Sequence, residues 1–461
     1  MDQIPRMKSI YPGAELVISA QGASSVQEGF LSLSPAANAP LKRIEVPFGM
    51  PNGTSRTVQI SIREREELYW SNPAHHSSRP RADDGVDIDE VLTPLAVRAW
   101  VFQESFLARR ILYATPSELA WQCCHHERCE CRKEASESAV WHTAKYGEYT
   151  FIRTLGQLLR VKDWRTADQP PFNHSKLWIE IVDRYSDKRL TKWTDRLAAI
   201  QGVVGGLQQA MPDQFQEEDY VFGLWRPQLE KWLLWNRRHR NPPGDSEAAA
   251  TVRKMAPSWS WVTTIGKVGY YEFIFEPNAV TLTQVVRSEK KEPDASAAEL
   301  FGAGNCELTL VGFCLPVQPA VPLHLLEDPE KDINRNNPFL IPEHYAAEDN
   351  YGPSVIEMLP DDPTDTSVFA RVTHFAPLVG SPQMFGDNSK LRNQGLFLER
   401  VAGPEDEGGL ITWEFKGVTY KVPVEGTFKR VGFGDDDCSQ MDLHWNDRED
   451  LGSELRAFKL I

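Results

Sequence analysis

From residue 270 to residue 461 the chain repeats one pattern. Short runs alternate apolar and polar residues: EFIF, AVTLTQVV, ELTLVGF, GLFLERV, LITWEF, VTYKVPV and FKRVGFG. A period of two sends successive side chains to opposite faces, which is the signature of a strand. Gly and Pro punctuate the runs, so this region is predicted to be β-rich. Residues 322–365 interrupt it with a long insertion of Pro, Asn and acidic residues, read as an exposed loop. The DDD run at 435–437 lacks the ligand series of a calcium loop and is read as a solvated acidic turn.

A different pattern occupies residues 93–123, TPLAVRAWVFQESFLARRILYATPSELAWQC. Thr93 is a candidate N-cap, and Pro94 suits a first helical turn, where a missing N–H is harmless. Leu95, Val97, Val101, Phe102 and Phe106 then recur at helical spacing, so Arg98, Trp100, Gln103 and Glu104 are expected on a helix. Residues 109–114 read as a strand, Pro116 and Ser117 as a turn, and residues 118–123 as a second strand. The unit is helix, strand, turn, strand. Upstream, residues 4–20 pass from a short helical pattern into an alternating strand at 15–20. Residues 40–70 read as strands, RTVQISI most clearly, and His75 and His76 lie in a polar loop.

With 461 residues the chain suggests two to four domains. The division expected is residues 1–135 as a mixed α/β part, 136–265 as a helical middle and 266–461 as the β-rich part. Acidic residues outnumber basic ones, 65 to 50, for a net charge of −15. That balance argues against electrostatic binding of nucleic acid or anionic membrane. No apolar run is long enough to span a bilayer, and no charged leader precedes an apolar core. The expectation is a cytoplasmic protein, with its seven cysteines as thiols or metal ligands in place of disulfides.

Four of those cysteines, Cys123, Cys124, Cys129 and Cys131, fall with His125 and His126 in the nonapeptide CCHHERCEC. Thiolate and imidazole suit zinc, but four ligands from so short a stretch strain to surround it. Free thiols in a surface loop are the alternative, and a reactive thiol beside His125, His126 and Arg128 is a third reading.

Residues 134–159 are expected to be helical. Leu177, Ile179, Ile181 and Val182 begin a helix that residues 183–189 are expected to interrupt. Thr191 or Thr194 can cap a second, with the stripe Leu197, Ile200, Val203 and Val204. Trp225, Leu229, Trp232 and Leu233 recur at helical spacing and are read as core, followed by a polar loop at 236–252. In APSWSW, residues 256–261, Ser258 and Ser260 read as backbone-capping residues, because no Gly-x-Ser-x-Gly elbow surrounds either. A strand-like run follows Gly266.

The block built on Arg98, Trp100, Gln103, Glu104, Leu107, Trp121 and Cys123 resembles the core motif of the fungal heterokaryon incompatibility (HET) domain. The resemblance extends further. Arg6, Met7, Ile10, Tyr11, Ala14, Gly29 and Phe30 fit a helix and turn of that domain. Tyr185, Ser186, Leu190, Thr191, Asp195, Arg196, Leu197 and Ala199, the Gly-Leu-Trp segment ending at Trp225, and APSWSW fit the region that follows it. The family's earlier Leu-Ser-Tyr-x-Trp-Gly and Trp-x-Asp-x-x-Cys-Ile-x-Gln segments are not found, so by resemblance the chain begins inside the domain.

The resemblance implies a partial, TIR-like α/β fold for residues 1–135. It implies a role in fungal nonself recognition and the associated programmed cell death, through contacts with protein partners. Arg98, Trp100, Gln103 and Glu104 are then structural, with Trp100 in the core and Glu104 paired with Arg98 or Arg109 or hydrogen-bonded. The alternative, by analogy with TIR domains that cleave NAD, is a hydrolase with NAD as substrate. There Glu104 is the catalytic carboxylate and Arg98 a phosphate contact, and the missing strands leave it inactive. Neither reading implies a resident cofactor. Zinc on the four cysteines belongs to a third, a metal or redox sensor.

Overall fold

A computed structural model describes residues 4–29 with short gaps, 42–49, 55–62, 94–114, 119–129 except 125, 136–137, 155–159 except 157, 174–238, 246–290 except 277–278, 306–319, 337–340, 355–361, 367–382, 391–401, 410–415, 418–436 and 455–461. The chain forms two compact units. Met1–Phe172, Lys188–Leu190 and Ala198–Pro212 make the first; Asn173–Asp187, Thr191–Leu197 and Asp213–Ile461 make the second. His75, His76 and Cys131 lie outside the described residues.

The described residues of the first unit include helices α1 (Ile4–Gly13) and α2 (Ala99–Leu107) and seven strands. These are β1 (Val17–Ser19), β2 (Lys42–Gly49), β3 (Ser55–Ile62), β4 (Arg110–Ala114), β5 (Leu119–Cys123), β6 (His126–Cys129) and β7 (Ser136–Glu137). β2 and β3 form a hairpin of their own. The others make one sheet, β1-β4-β5-β6-β7. β1 runs parallel to β4, Val17 opposite Ile111, and parallel neighbours need a crossover, which here carries α2. β4 to β7 continue antiparallel. Ile111, Tyr113 and Ala120 alternate onto the buried face. There the Tyr113 hydroxyl donates to the Gln122 carboxamide oxygen at 2.6 Å.

The expected helix–strand–strand block is present, but its helix begins late. Residues 94–97 are a turn, and Arg98 is the extended residue before α2. The backbone is diverted there because the Ala99 N–H donates to Arg189 O at 2.9 Å and the Arg189 N–H to Val97 O at 2.7 Å. Thr93 lies outside the described residues. Ser136 and Glu137, expected in a helix, pair with Glu127 and His126 as β7.

The second unit opens with α3 (His174–Ser186), which continues into the expected interruption at 183–189 as far as Ser186. Asp183 and Arg184 are half-buried, and their charges pair with Lys267 at 3.0 Å and Glu180 at 3.8 Å, while Tyr185 and Ser186 face the core. The next helix, α4 (Ala198–Ala210), belongs to the first unit and starts after a 3-10 turn, Trp193–Asp195, so neither Thr191 nor Thr194 caps it. Its predicted stripe is buried. Residues 220–235 hold a two-strand turn, β8 (Tyr220–Val221) with β9 (Leu224–Trp225), then a one-turn helix α5 (Leu229–Trp232). Trp225 is therefore on a strand, and the four predicted core residues are all buried. The polar stretch after it contributes β10 (Asn236–Arg237) and α6 (Ser246–Val252). Beyond Gly266 the strand is only β11 (Val268–Gly269), paired with β10.

The remaining strands form one sheet: β12 (Val280–Thr281), β13 (Thr283–Lys290), β14 (Cys306–Gly312), β15 (Leu315–Pro316), β16 (Gln318–Pro319), β17 (Asn337–Leu340), β18 (Val355–Pro360), β19 (Val372–Pro382), β20 (Leu391–Arg400), β21 (Leu410–Phe415), β22 (Val418–Asp436) and β23 (Arg456–Leu460). Its ladder almost closes. β13 pairs with β14, β14 with β23, β23 with β22, β22 with β20, β20 with β19, and β19 with β12. Only Leu282 separates β12 from β13, and its N–H donates to Leu378 O at 2.8 Å. Both faces are apolar: Leu310 and Val311, neighbours on β14, are each 0% exposed. That explains near-continuous apolar runs such as LTLVGF.

Three expectations change here. EFIF is a 3-10 turn (Glu272–Phe275), VTYKVPV and FKRVGFG are one strand, and the polar insertion supplies β17 and β18. Asp435 and Asp436 end β22, opposite Gln394 and Asn393, so they are strand residues and no turn; Asp437 lies outside the described residues. His374 on β19 lies beside Phe428, and burial first, then the field of Arg400, pulls its pKa down to about 4. The unfolded chain therefore binds this proton more readily. Stability present above about pH 6.5 is lost as pH falls towards 4, on the order of 2 kcal/mol, and a His374→Gln variant lacks this step in urea titrations across that range.

Candidate functional site

α2 sets out the motif residues. Gln103 is 1% exposed, and its carboxamide is held on both sides. Its Oε1 accepts the Gly202 N–H at 2.9 Å, and its Nε2 donates to Met7 Sδ at 3.1 Å. The side chain thus joins α1, α2 and α4. A Cβ on Gly202 would lie 2.5 Å from Gln103 Oε1, and one on Gly206, a turn later, 3.0 Å from Leu107. These glycines let α2 approach α4. Gln103→Ala leaves a cavity and a broken junction, and is expected to cost about 2 kcal/mol in chemical denaturation.

Glu104, the next residue, is half-buried. The Tyr11 hydroxyl of α1 donates to its carboxylate, and Arg98 lies within its field. Burial raises the Glu104 pKa; the Tyr11 hydrogen bond and Arg98 oppose that rise. The Tyr11 phenol is raised in turn, by burial first and then by Glu104. Arg98 itself is exposed at the start of α2, and Trp100 is half-buried where the core was expected. Arg109 is exposed. A half-buried carboxylate bonded by a tyrosine and in the field of an exposed arginine is a chemically competent group among the described residues of this unit. Tyr11 had no role assigned from sequence beyond its place in the helix pattern.

Trp121 and Cys123 are on β5, opposite Leu112 and Arg110, and both are half-buried. They lie one strand beyond β4 and are placed by the sheet. The CCHHERCEC stretch, expected as a loop, is largely β-hairpin: β5 turns at Cys124 into β6, which sets Cys129 opposite Ala120. Cys123 and Cys124 are half-buried and outside any disulfide. Among the described residues no three His, Cys, Asp or Glu side chains gather as a metal set.

In the second unit the motif residues of α3, the Gly-Leu-Trp segment and APSWSW interlock. Ser260 caps the 3-10 turn Trp261–Thr263, accepting the Val262 N–H at 3.1 Å and donating to Phe222 O at 2.6 Å. Ser258 donates to Ile461 O and accepts the Arg430 N–H at 3.1 Å. Both serines cap backbone, as the sequence suggested. Trp261 Nε1 donates to Gly223 O at 2.8 Å. Gly223 has φ +85, and a Cβ there would meet the Trp261 indole at 2.8 Å, so both conformation and space require glycine. Tyr185 stands edge-on to Trp261 at 6.1 Å and donates to Arg196 O.

No family model matches the chain, and no curated protein and no solved structure matches it either. Among the described residues no helix is long and apolar enough to cross a membrane.

Proposed function

We propose that this chain is a HET-domain protein of fungal nonself recognition. It acts in the cytoplasm through protein–protein contacts that lead to heterokaryon incompatibility and programmed cell death. The observation that carries the reading is Gln103. A motif position that is buried, with its carboxamide bonded to both Gly202 and Met7, joins three helices and presents no open face to a substrate. The parallel pairing of β1 with β4 across a helix-bearing crossover supports a partial TIR-like α/β fold for residues 1–135. Expression of the chain in a filamentous fungus tests it. Cell death is expected, and Gln103→Ala, which loosens the three-helix junction, is expected to abolish it.

A second reading has one observation in its favour. Glu104 is a half-buried carboxylate with raised pKa, hydrogen-bonded by Tyr11 and flanked by Arg98. In a TIR-like NAD-cleaving site such a group can stabilise an oxocarbenium-like ribosyl centre.

Stability measurements on Glu104→Gln bear on its environment directly. The folded carboxyl holds its proton more tightly than the unfolded one, so the ionised form is penalised. The advantage of the protonated form is full below the ordinary value of 4.5 and is lost as pH rises through the raised value. At pH 7 Glu104→Gln is therefore expected to unfold no earlier than the parent, with a gain that vanishes near pH 4.

A further inference from the structure

Among the described residues of the second unit, two arginines have a buried Nε with no hydrogen-bond partner. Arg196 is 1% exposed. A guanidinium carries five N–H donors. In Arg196 only Nη2 has a partner among the described residues, Ser186 O at 3.3 Å, and Nε is buried with none. Its carbon lies 5.8 Å from the Trp193 ring and 5.4 Å from the Trp261 ring, so two aromatic rings flank it.

Arg237 is its neighbour through a short relay. Ser186 Oγ accepts the Val268 N–H at 2.8 Å, and Val268 faces Arg237 across the β10–β11 pair. Arg237 Nε is also buried without a partner, although the residue as a whole is half-buried. Asn236 precedes it, and its orphan Nδ2 faces the other side of the strand. Arg196 lies in the field of Arg237. Burial, and to a lesser extent Arg237, draw the Arg196 pKa down to about 10, against the pull of Tyr185 and Asp187; burial also lowers that of Arg237.

The nearby carboxylates do not answer this demand. Asp187, in the field of Arg196, is exposed. Asp361, in the field of Arg237, has both oxygens bound by Arg430, at 2.9 and 3.0 Å. A buried cation without a partner is costly, and two in one place more so. Guanidinium forks match oxyanions through paired N–H donors, and a doubly charged ion answers two of them. We infer that an oxyanion of the phosphate class binds between Arg196 and Arg237, approached from the half-buried Arg237 side, with Arg196 as the floor.

The test uses the full chain and inorganic phosphate, by calorimetric titration and thermal unfolding, with sodium chloride at matched ionic strength as reference. Saturable binding and a rise in unfolding temperature beyond that in chloride are expected. Arg196→Met removes a fully buried group and is liable to unfold the unit, so Arg237→Met carries the comparison. It is expected to keep the parent's circular dichroism and to weaken phosphate binding at least about tenfold. A second arm with glycerol 3-phosphate separates a free ion from a phosphate carried on a larger molecule; whichever binds more tightly identifies the source. Phosphate that acts no differently from chloride overturns the inference, and so does an Arg237→Met protein that binds phosphate as the parent does.

Discussion

Asp361→Ala is expected to cost about 3–5 kcal/mol, because it strands a buried cation. The Arg430 side chain is 0% exposed. Its Nε and Nη2 form a two-pronged pair with Asp361 at 2.9 and 3.0 Å. The same guanidinium donates to Leu233 O and, at 2.5 Å, to Trp235 O, and lies 3.4 Å from the centre of the Trp235 ring. Asp361 also binds backbone, its N–H donating to Val431 O at 3.0 Å and its carbonyl accepting from Thr264 Oγ1 at 3.0 Å. Burial pushes its carboxyl up, while Arg430 and Arg237 pull it down. The joint thus ties β22, the end of β18 and the chain after α5. Urea unfolding of Asp361→Ala reads the loss. The double variant Asp361→Ala/Arg430→Met, which removes both charges, is expected to recover a large part of it.

Trp261→Ala is expected to lose a similar amount, about 3–5 kcal/mol. The indole is 0% exposed and does three things at once. It fills the space beside Gly223, gives its N–H to Gly223 O, and presents its face to Arg196. Truncation opens a cavity, leaves a buried carbonyl unpaired and removes one of two rings over a buried cation. Trp100→Ala, at a half-buried position of α2, is the useful contrast, expected to cost about 1–2 kcal/mol. Equal losses at the two positions would mean that the APSWSW segment is not the centre of the second unit.

What could be read from sequence followed from pattern strength. The block ending in β4 and β5 was legible because its period changes from helical to alternating within a few residues, and Pro116 and Ser117 break the alternation in the sequence. Where spacing was the only guide, tertiary bonds overrode it. Trp225, Leu229 and Trp232 have helical spacing, yet Trp225 sits on a strand, since a chain that bends back through Gly223 can bury the same residues. α3 runs through Asp183 because half-buried charges with ion-pair partners do not break a helix. Arg98 was placed inside α2, and the backbone bridge to Arg189, 91 positions away, holds it just outside. That partner is invisible locally. Of the candidate site, Glu104 and Arg98 could be singled out as residue types. The approach of Tyr11 from α1, and the anchoring of Gln103 by Gly202, depend on helix packing that no local pattern encodes.

The most direct test of the central reading measures NAD and cell survival together when the chain is expressed in a fungal host, beside its Glu104→Gln variant. Action through protein contacts predicts that both proteins kill and that NAD holds its level until cells die. Early loss of NAD with the parent, absent with Glu104→Gln, would contradict that reading and make Glu104 the catalytic carboxylate of an NAD-cleaving enzyme.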